Sequence, residues 1–161
     1  MRLLGEVISS PFLSKVMISE DSSKKSADKH MPDKKSDSLI KHEILKHSLN
    51  SELSCASAFL IAKELNVSPD KVGMIADSIN YRLVKCLMGL FGYKPDKKIV
   101  KSVKTENQNL KNTITDNLVE GKLECKIAWD IASRFKVNKM TVSGICEDMD
   151  IKINKCQLGA F

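Results

Sequence analysis

Aromatic side chains are scarce in this 161-residue chain: one Trp, two Tyr and five Phe, 5% in all. That scarcity argues against an aromatic base-stacking surface or a carbohydrate platform. Seven glycines and four prolines are few for an all-β chain rich in turns. No apolar run reaches the roughly 18 residues a membrane span requires, so no membrane partner is expected. The first residues are mildly apolar but interrupted by Glu6, Ser9, Ser10, Pro11 and Lys15. Without a clean apolar stretch they do not read as a signal peptide, and a cytoplasmic location is the expectation. Five cysteines occur, none of them in a CxxC pair, and such pairs are the usual start of a zinc or iron–sulfur site. A glycine-rich phosphate loop, a GxSxG elbow and a paired-acid motif are all missing. The chain therefore reads as a non-enzyme without a cofactor.

What is present is enough apolar material for a core, 42% of residues against 29% charged, which excludes wholesale disorder. The main organising feature is an internal repeat. Sliding the sequence by 70 aligns 53–91 with 123–161 without a gap, and 12 of the 39 positions are identical. The identities are mostly apolar or small: Leu53/Leu123, Cys55/Cys125, Ala58/Ala128, Ile61/Ile131, Ala62/Ala132, Val67/Val137, Val72/Val142 and Ile75/Ile145. Lys85/Lys155, Cys86/Cys156, Gly89/Gly159 and Phe91/Phe161 follow. The match continues weakly upstream through Lys41/Lys111 and Ile44/Ile114.

The duplication divides the chain. Residues 1–37 form an N-terminal arm whose second half is almost wholly Ser, Lys and Asp. Such a segment buries too little apolar area to offset its ordering entropy, so a disordered arm is expected. Repeat one spans 38–93, a lysine-rich connector 94–107 and repeat two 108–161. Units of this size are marginal alone, so the copies are expected to pack on each other. The fold class is mainly α, with three helices per repeat. Helix one covers 38–49 and 110–119, with Ile40, Ile44 and Leu45 at helical spacing. Helix two follows Ser54 and carries Ala58, Ile61, Ala62 and Leu65. Helix three opens at Ser68-Pro69 in repeat one and at Asn138 in repeat two. It buries Val72, Ile75 and Ile79, or Val142, Ile145 and Met149. The tails admit two readings: Ile151 to Asn154 alternates like a strand, whereas Leu83, Cys86, Leu87 and Leu90 fit a helix. A short C-terminal strand is the preferred one.

Helices two and three carry the functional argument. A helix-turn-helix needs a small residue where the second helix crosses the first. It also needs apolar residues on either side of a tight turn, and two more anchoring the second helix. Ala62, Leu65, Val67, Val72 and Ile75 occupy those places, as do Ala132, Phe135, Val137, Val142 and Ile145. Asn66 and Lys136 stand at the turn position, where a left-handed backbone is wanted. In these residues the chain resembles, over about 20 residues in each copy, the helix-turn-helix modules of bacterial transcriptional regulators, winged-helix ones included.

The resemblance implies double-stranded DNA as partner and a transcription-regulatory role, with helix three in the major groove. Its outward positions would be Ser68, Asp70, Lys71, Gly73 and Met74, and Asn138, Lys139, Thr141, Ser143 and Gly144. Repeat two is the better reader, because Asn138, Lys139, Thr141 and Ser143 offer donors. Asp70 in repeat one would repel phosphate. Charge tempers this expectation. Of the formal net charge of +6, the connector supplies +3 and each repeat only +1. Nearly neutral modules should bind DNA weakly by themselves. Lys97, Lys98 and Lys101, with Lys94 and Lys104, read equally as a backbone clamp and as a solvated linker. The alternative function is a non-catalytic protein-interaction module, with a protein partner or self-association, that keeps the fold without reading DNA. Whether Cys55, Cys86, Cys125 and Cys156 bind metal stays open. Small buried hydrophobes in a duplicated core are the simpler reading, and no metal ligand is assigned.

Overall fold

A computed structural model of the protein describes residues 34–161. Most of the predicted arm, 1–33, lies outside the described residues. Its end does not behave as expected: 34–37 is helical and opens the first helix, α1 (Lys34–His47). Ser36 and Asp37 find a partner there in Lys71 of the third helix, which a composition argument cannot see.

The remaining elements are β1 (Glu52–Ser54), α2 (Cys55–Glu64), α3 (Pro69–Ser78) and β2 (Arg82–Val84) in repeat one. Repeat two follows with α4 (Gln108–Asp116), β3 (Lys122–Glu124), α5 (Cys125–Phe135), α6 (Lys139–Asp148) and β4 (Lys152–Asn154). The chain is mainly helical with short strands, as the sequence predicts. The helix starts follow from the residues at them. Ser54 Oγ accepts the Ser57 N–H, Asn107 Oδ1 the Leu110 N–H and Asn138 Oδ1 the Met140 N–H, each satisfying an otherwise orphaned donor. Pro69 stands at the first position of α3, where its missing N–H costs nothing.

The duplication extends to the backbone. Asn50/Glu120, Ser51/Gly121, Asn66/Lys136, Asn80/Asp150, Lys85/Lys155 and Gly89/Gly159 all adopt positive φ. The pairs keep the left-handed conformation even where the side chains differ, so the path of the chain, rather than the residue type, is what the two copies share. Lys136 holds φ 53° although a lysine gains nothing locally from it.

The tails do form strands, but with a partner the sequence did not announce. β1 pairs with β2 in parallel, Glu52 opposite Arg82 and Ser54 opposite Val84, and β3 pairs with β4 in the same register. Parallel neighbours need a long crossover, and the α2–α3 and α5–α6 helix pairs supply it. Neither tail strand turns back into the antiparallel hairpin of a wing: the two sheets are β1-β2 and β3-β4 only, among the described residues.

The two cores exchange their ends. Leu158 and Cys156 of repeat two pack with Ile40, Ile44, Leu53, Ile61 and Val72 of repeat one. Cys86, Met88, Leu90 and Phe91 of repeat one pack with Leu110, Ile114, Leu123, Ile131 and Ile145 of repeat two. Each tail therefore closes the other repeat's core, and burying a side chain such as Met88 or Leu158 contributes ~1.5–3 kcal/mol. Equivalent residues also meet directly. The Phe59 and Trp129 rings lie 4.3 Å apart and tilted, and Phe91 and Phe161 sit edge-on at 5.7 Å. Contact between equivalent residues is the mark of a twofold arrangement, so the repeats are related by a pseudo-twofold axis passing near both pairs.

Candidate functional site

The third helices were expected to present their outward positions to solvent. The exchanged tails change that. Ser143 is completely buried, and its hydroxyl donates to the Met88 carbonyl at 2.6 Å. It is a seat for the tail of repeat one, not a DNA contact. The equivalent Gly73 faces the Leu158 carbonyl so closely that an added Cβ would stand 1.9 Å from the oxygen. Gly144 is buried under the connector: its carbonyl accepts the Val103 N–H, and an added Cβ would lie 2.6 Å from Val103 Cγ2. A helical wheel drawn on one unit assigns these positions to solvent because it knows nothing of the other unit or of the connector.

The connector is likewise not a free linker. Besides Val103 on Gly144, Ser102 Oγ donates to Asp148 at 2.9 Å and Lys98 Nζ lies 2.6 Å from Glu147. The segment runs along α6, and Lys98 spends its charge on that helix. Lys97 is exposed beside the Tyr93–Lys97 bridge, and Lys101 is exposed as well. Lys71, expected on the outward face of α3, has its ammonium 3.1 Å from Asp37 and from Ser36 Oγ. Ser68 is exposed and caps α3 without a side-chain hydrogen bond.

Some of the expected residues do converge. Asn138 and Thr141 at the start of α6 share a hollow of about 310 Å³ with Lys101, Ile99, Val103 and Met140. The reader positions and one connector lysine thus meet at a helix N-terminus, where backbone donors favour an anion. Lys139, one residue from Asn138, is turned away from that hollow's lining, its ammonium 4.4 Å from the Trp129 ring centroid in a cation–π contact.

A larger feature escaped the sequence. A cleft of about 670 Å³ opens on the pseudo-twofold axis. Its lining comes in equivalent pairs: Asp77/Glu147 from the last turns of α3 and α6, Arg82/Lys152 and Leu83/Ile153 from β2 and β4, and Leu90/Ala160 and Phe91/Phe161 from the tails. Lys98 and Gly159 complete it. The Phe91/Phe161 match was visible as an identity, but nothing in one chain direction indicated that the two rings face each other.

The cysteines are free thiols. Cys55, Cys86, Cys125 and Cys146 are buried, and Cys156 is half-buried. Burial pushes the Cys55 and Cys146 thiols up to about 12 and raises Cys86 and Cys125 as well. Backbone N–H groups of Leu87 at Cys55 and of Leu90, Met88 and Phe91 at Cys86 work against that rise without cancelling it. Held protonated, these four thiols are poor nucleophiles. Among the described residues, only Glu43, His47 and Glu64 bring three ligand atoms within 4.8 Å of one another. Glu43 and His47 sit one turn apart on α1, their nearest atoms 3.4 Å apart. The i, i+4 spacing could have pointed to that pair; Glu64 joins it only through the fold. No family model, curated protein or solved structure matches this chain.

Proposed function

We propose that the protein is a non-catalytic interaction module in which the helix-turn-helix pairs act as framework and not as groove readers. One observation carries this reading: the faces of α3 and α6 that a reader would insert are occupied by the other repeat's tail, at Gly73 against Leu158 and at Ser143 against Met88. A helix that enters the major groove must present its middle as well as its first turn. The surface composition agrees. Leu39, Leu45, Leu49, Leu60 and Met74 are exposed on repeat one, where repeat two has Asn109, Thr115, Val119, Asp130 and Gly144. Four of those five places carry no large apolar side chain, and Val119 and Phe161 are the exposed large apolar residues of repeat two, so the copies differ in exposed apolar content.

Double-stranded DNA is the second reading, and the hollow at Asn138, Thr141 and Lys101 favours it. It would use the first turn of α6 and the connector, with repeat one turned away. A salt titration on random duplex DNA separates the two. The interaction reading expects no binding that strengthens steeply as salt falls. A steep slope, flattened by Lys101→Ala together with Asn138→Ala, overturns it in favour of DNA.

A further inference from the structure

We infer that the cleft on the pseudo-twofold axis is a binding site for a small apolar anion, an aromatic or aliphatic molecule carrying a carboxylate or sulfonate group. This inference does not depend on whether the partner of the module is protein or DNA.

The cleft has the size of small-molecule sites, which run to roughly 300–1,000 Å³. Its chemistry is divided as such sites are, an apolar surface with a few polar groups at the edge. Leu83, Ile153, Leu90, Phe91 and Phe161 supply the apolar part. The edge-on Phe91–Phe161 pair offers ring faces and edges to a flat hydrocarbon.

The charges select the sign of the ligand. Five charged residues line the cleft: Arg82, Lys98 and Lys152 against Asp77 and Glu147. Lys98 and Glu147 satisfy each other at 2.6 Å. Arg82 and Lys152 belong to no ion pair among the described residues, although both are exposed and stand at the same position of their strands. Asp77 is in no ion pair among the described residues either, so the lining side chains leave an excess of one positive charge, carried by two cations flanking an apolar surface. A guanidinium at one end can hold a carboxylate or sulfonate through two hydrogen bonds. The lysine at the equivalent place offers a second, weaker anchor. Asp77 opposes an anion and gives the inference a built-in control of opposite sign.

The test uses the full chain and 1-anilinonaphthalene-8-sulfonate as probe, with its neutral relative N-phenyl-1-naphthylamine alongside. Saturable, one-to-one fluorescence enhancement is expected from the sulfonate. Arg82→Gln with Lys152→Gln should weaken it about tenfold or more, while leaving the neutral dye's binding nearly unchanged. Asp77→Asn should tighten the sulfonate. All three side chains are exposed, and thermal melts superposable on the parent's identify variants that remain folded. Absence of saturable binding, equal affinity of both dyes for the parent, or sulfonate affinity indifferent to both the cation and the Asp77 changes would each overturn the assignment.

Discussion

The Ser143 hydroxyl donates to the Met88 carbonyl oxygen at 2.6 Å, fastening the third helix of repeat two to the tail of repeat one. At the equivalent contact in repeat one, the hydroxyl and its Cβ are replaced by the bare Cα of Gly73 under the Leu158 carbonyl. The two halves thus make the same crossing by different means: one is bonded, the other merely close.

Ser143→Ala should therefore leave a buried carbonyl without its donor and destabilise by about 1–3 kcal/mol. Gly73→Ala should cost at least as much, because the new methyl would meet backbone and not a flexible side chain. Urea unfolding of both variants measures this. A Gly73→Ala protein as stable as its parent would mean that the tail is not seated on α3.

Exchange of the tails predicts damage at a distance in sequence. Leu158→Ala removes a side chain packed among Ile40, Ile44 and Val72, at about 2–5 kcal/mol. Hydrogen exchange should speed up in α2 and α3, far from the changed residue along the chain. Loss of protection confined to α5 and α6 would contradict the exchange.

Much of this architecture could be read from residue order alone. The gapless repeat located both helix pairs, Ser68-Pro69 and Asn138 marked the starts of α3 and α6, and the turn position between paired helices carries a left-handed backbone at Asn66 and Lys136. β1 and β3 could not be read, since a three-residue strand shows too little alternation to stand out from the start of the helix that follows it. The burial of Ser143 and the axial cleft were hidden for another reason. They arise between the copies, and a repeat in sequence specifies the copies without specifying their mutual orientation.

The buried thiols predict alkaline weakness. Cys55 and Cys146 stay protonated in the folded protein to about 12, whereas unfolded cysteine ionises near its ordinary value of about 8.5. Above that value the unfolded state binds fewer protons, so stability present at neutral pH is lost as pH rises toward 12. The slope reaches about 1.4 kcal/mol per pH unit for each such thiol. Cys146→Ala tests it with little disturbance, since Ala76 occupies the matching place in repeat one. Unfolding free energies at pH 7.5 and 10 should differ less in that variant than in the parent. An equal difference would show that Cys146 does not contribute.

Trp129, the sole tryptophan, reports on the seam between repeats because Phe59 lies against one part of it and the Lys139 ammonium over its ring. Phe59→Leu, a change made in the opposite repeat, should shift Trp129 emission to longer wavelength. A double-mutant cycle with Trp129→Leu should give a coupling of about 0.5–1.5 kcal/mol beyond lost area. An unchanged emission maximum would place the two rings out of contact in solution.

Because each core is completed by the other copy's end, neither half carries all of its own interior. Two separate copies of such a unit could complete one another only by meeting in solution, at a rate set by their concentration. Joined through 94–107, the same event happens within one molecule. The connector thus supplies a high effective concentration as well as a path along α6. Cutting it would turn a first-order assembly into a second-order one, and dilution would then melt what heat alone melts in the intact chain.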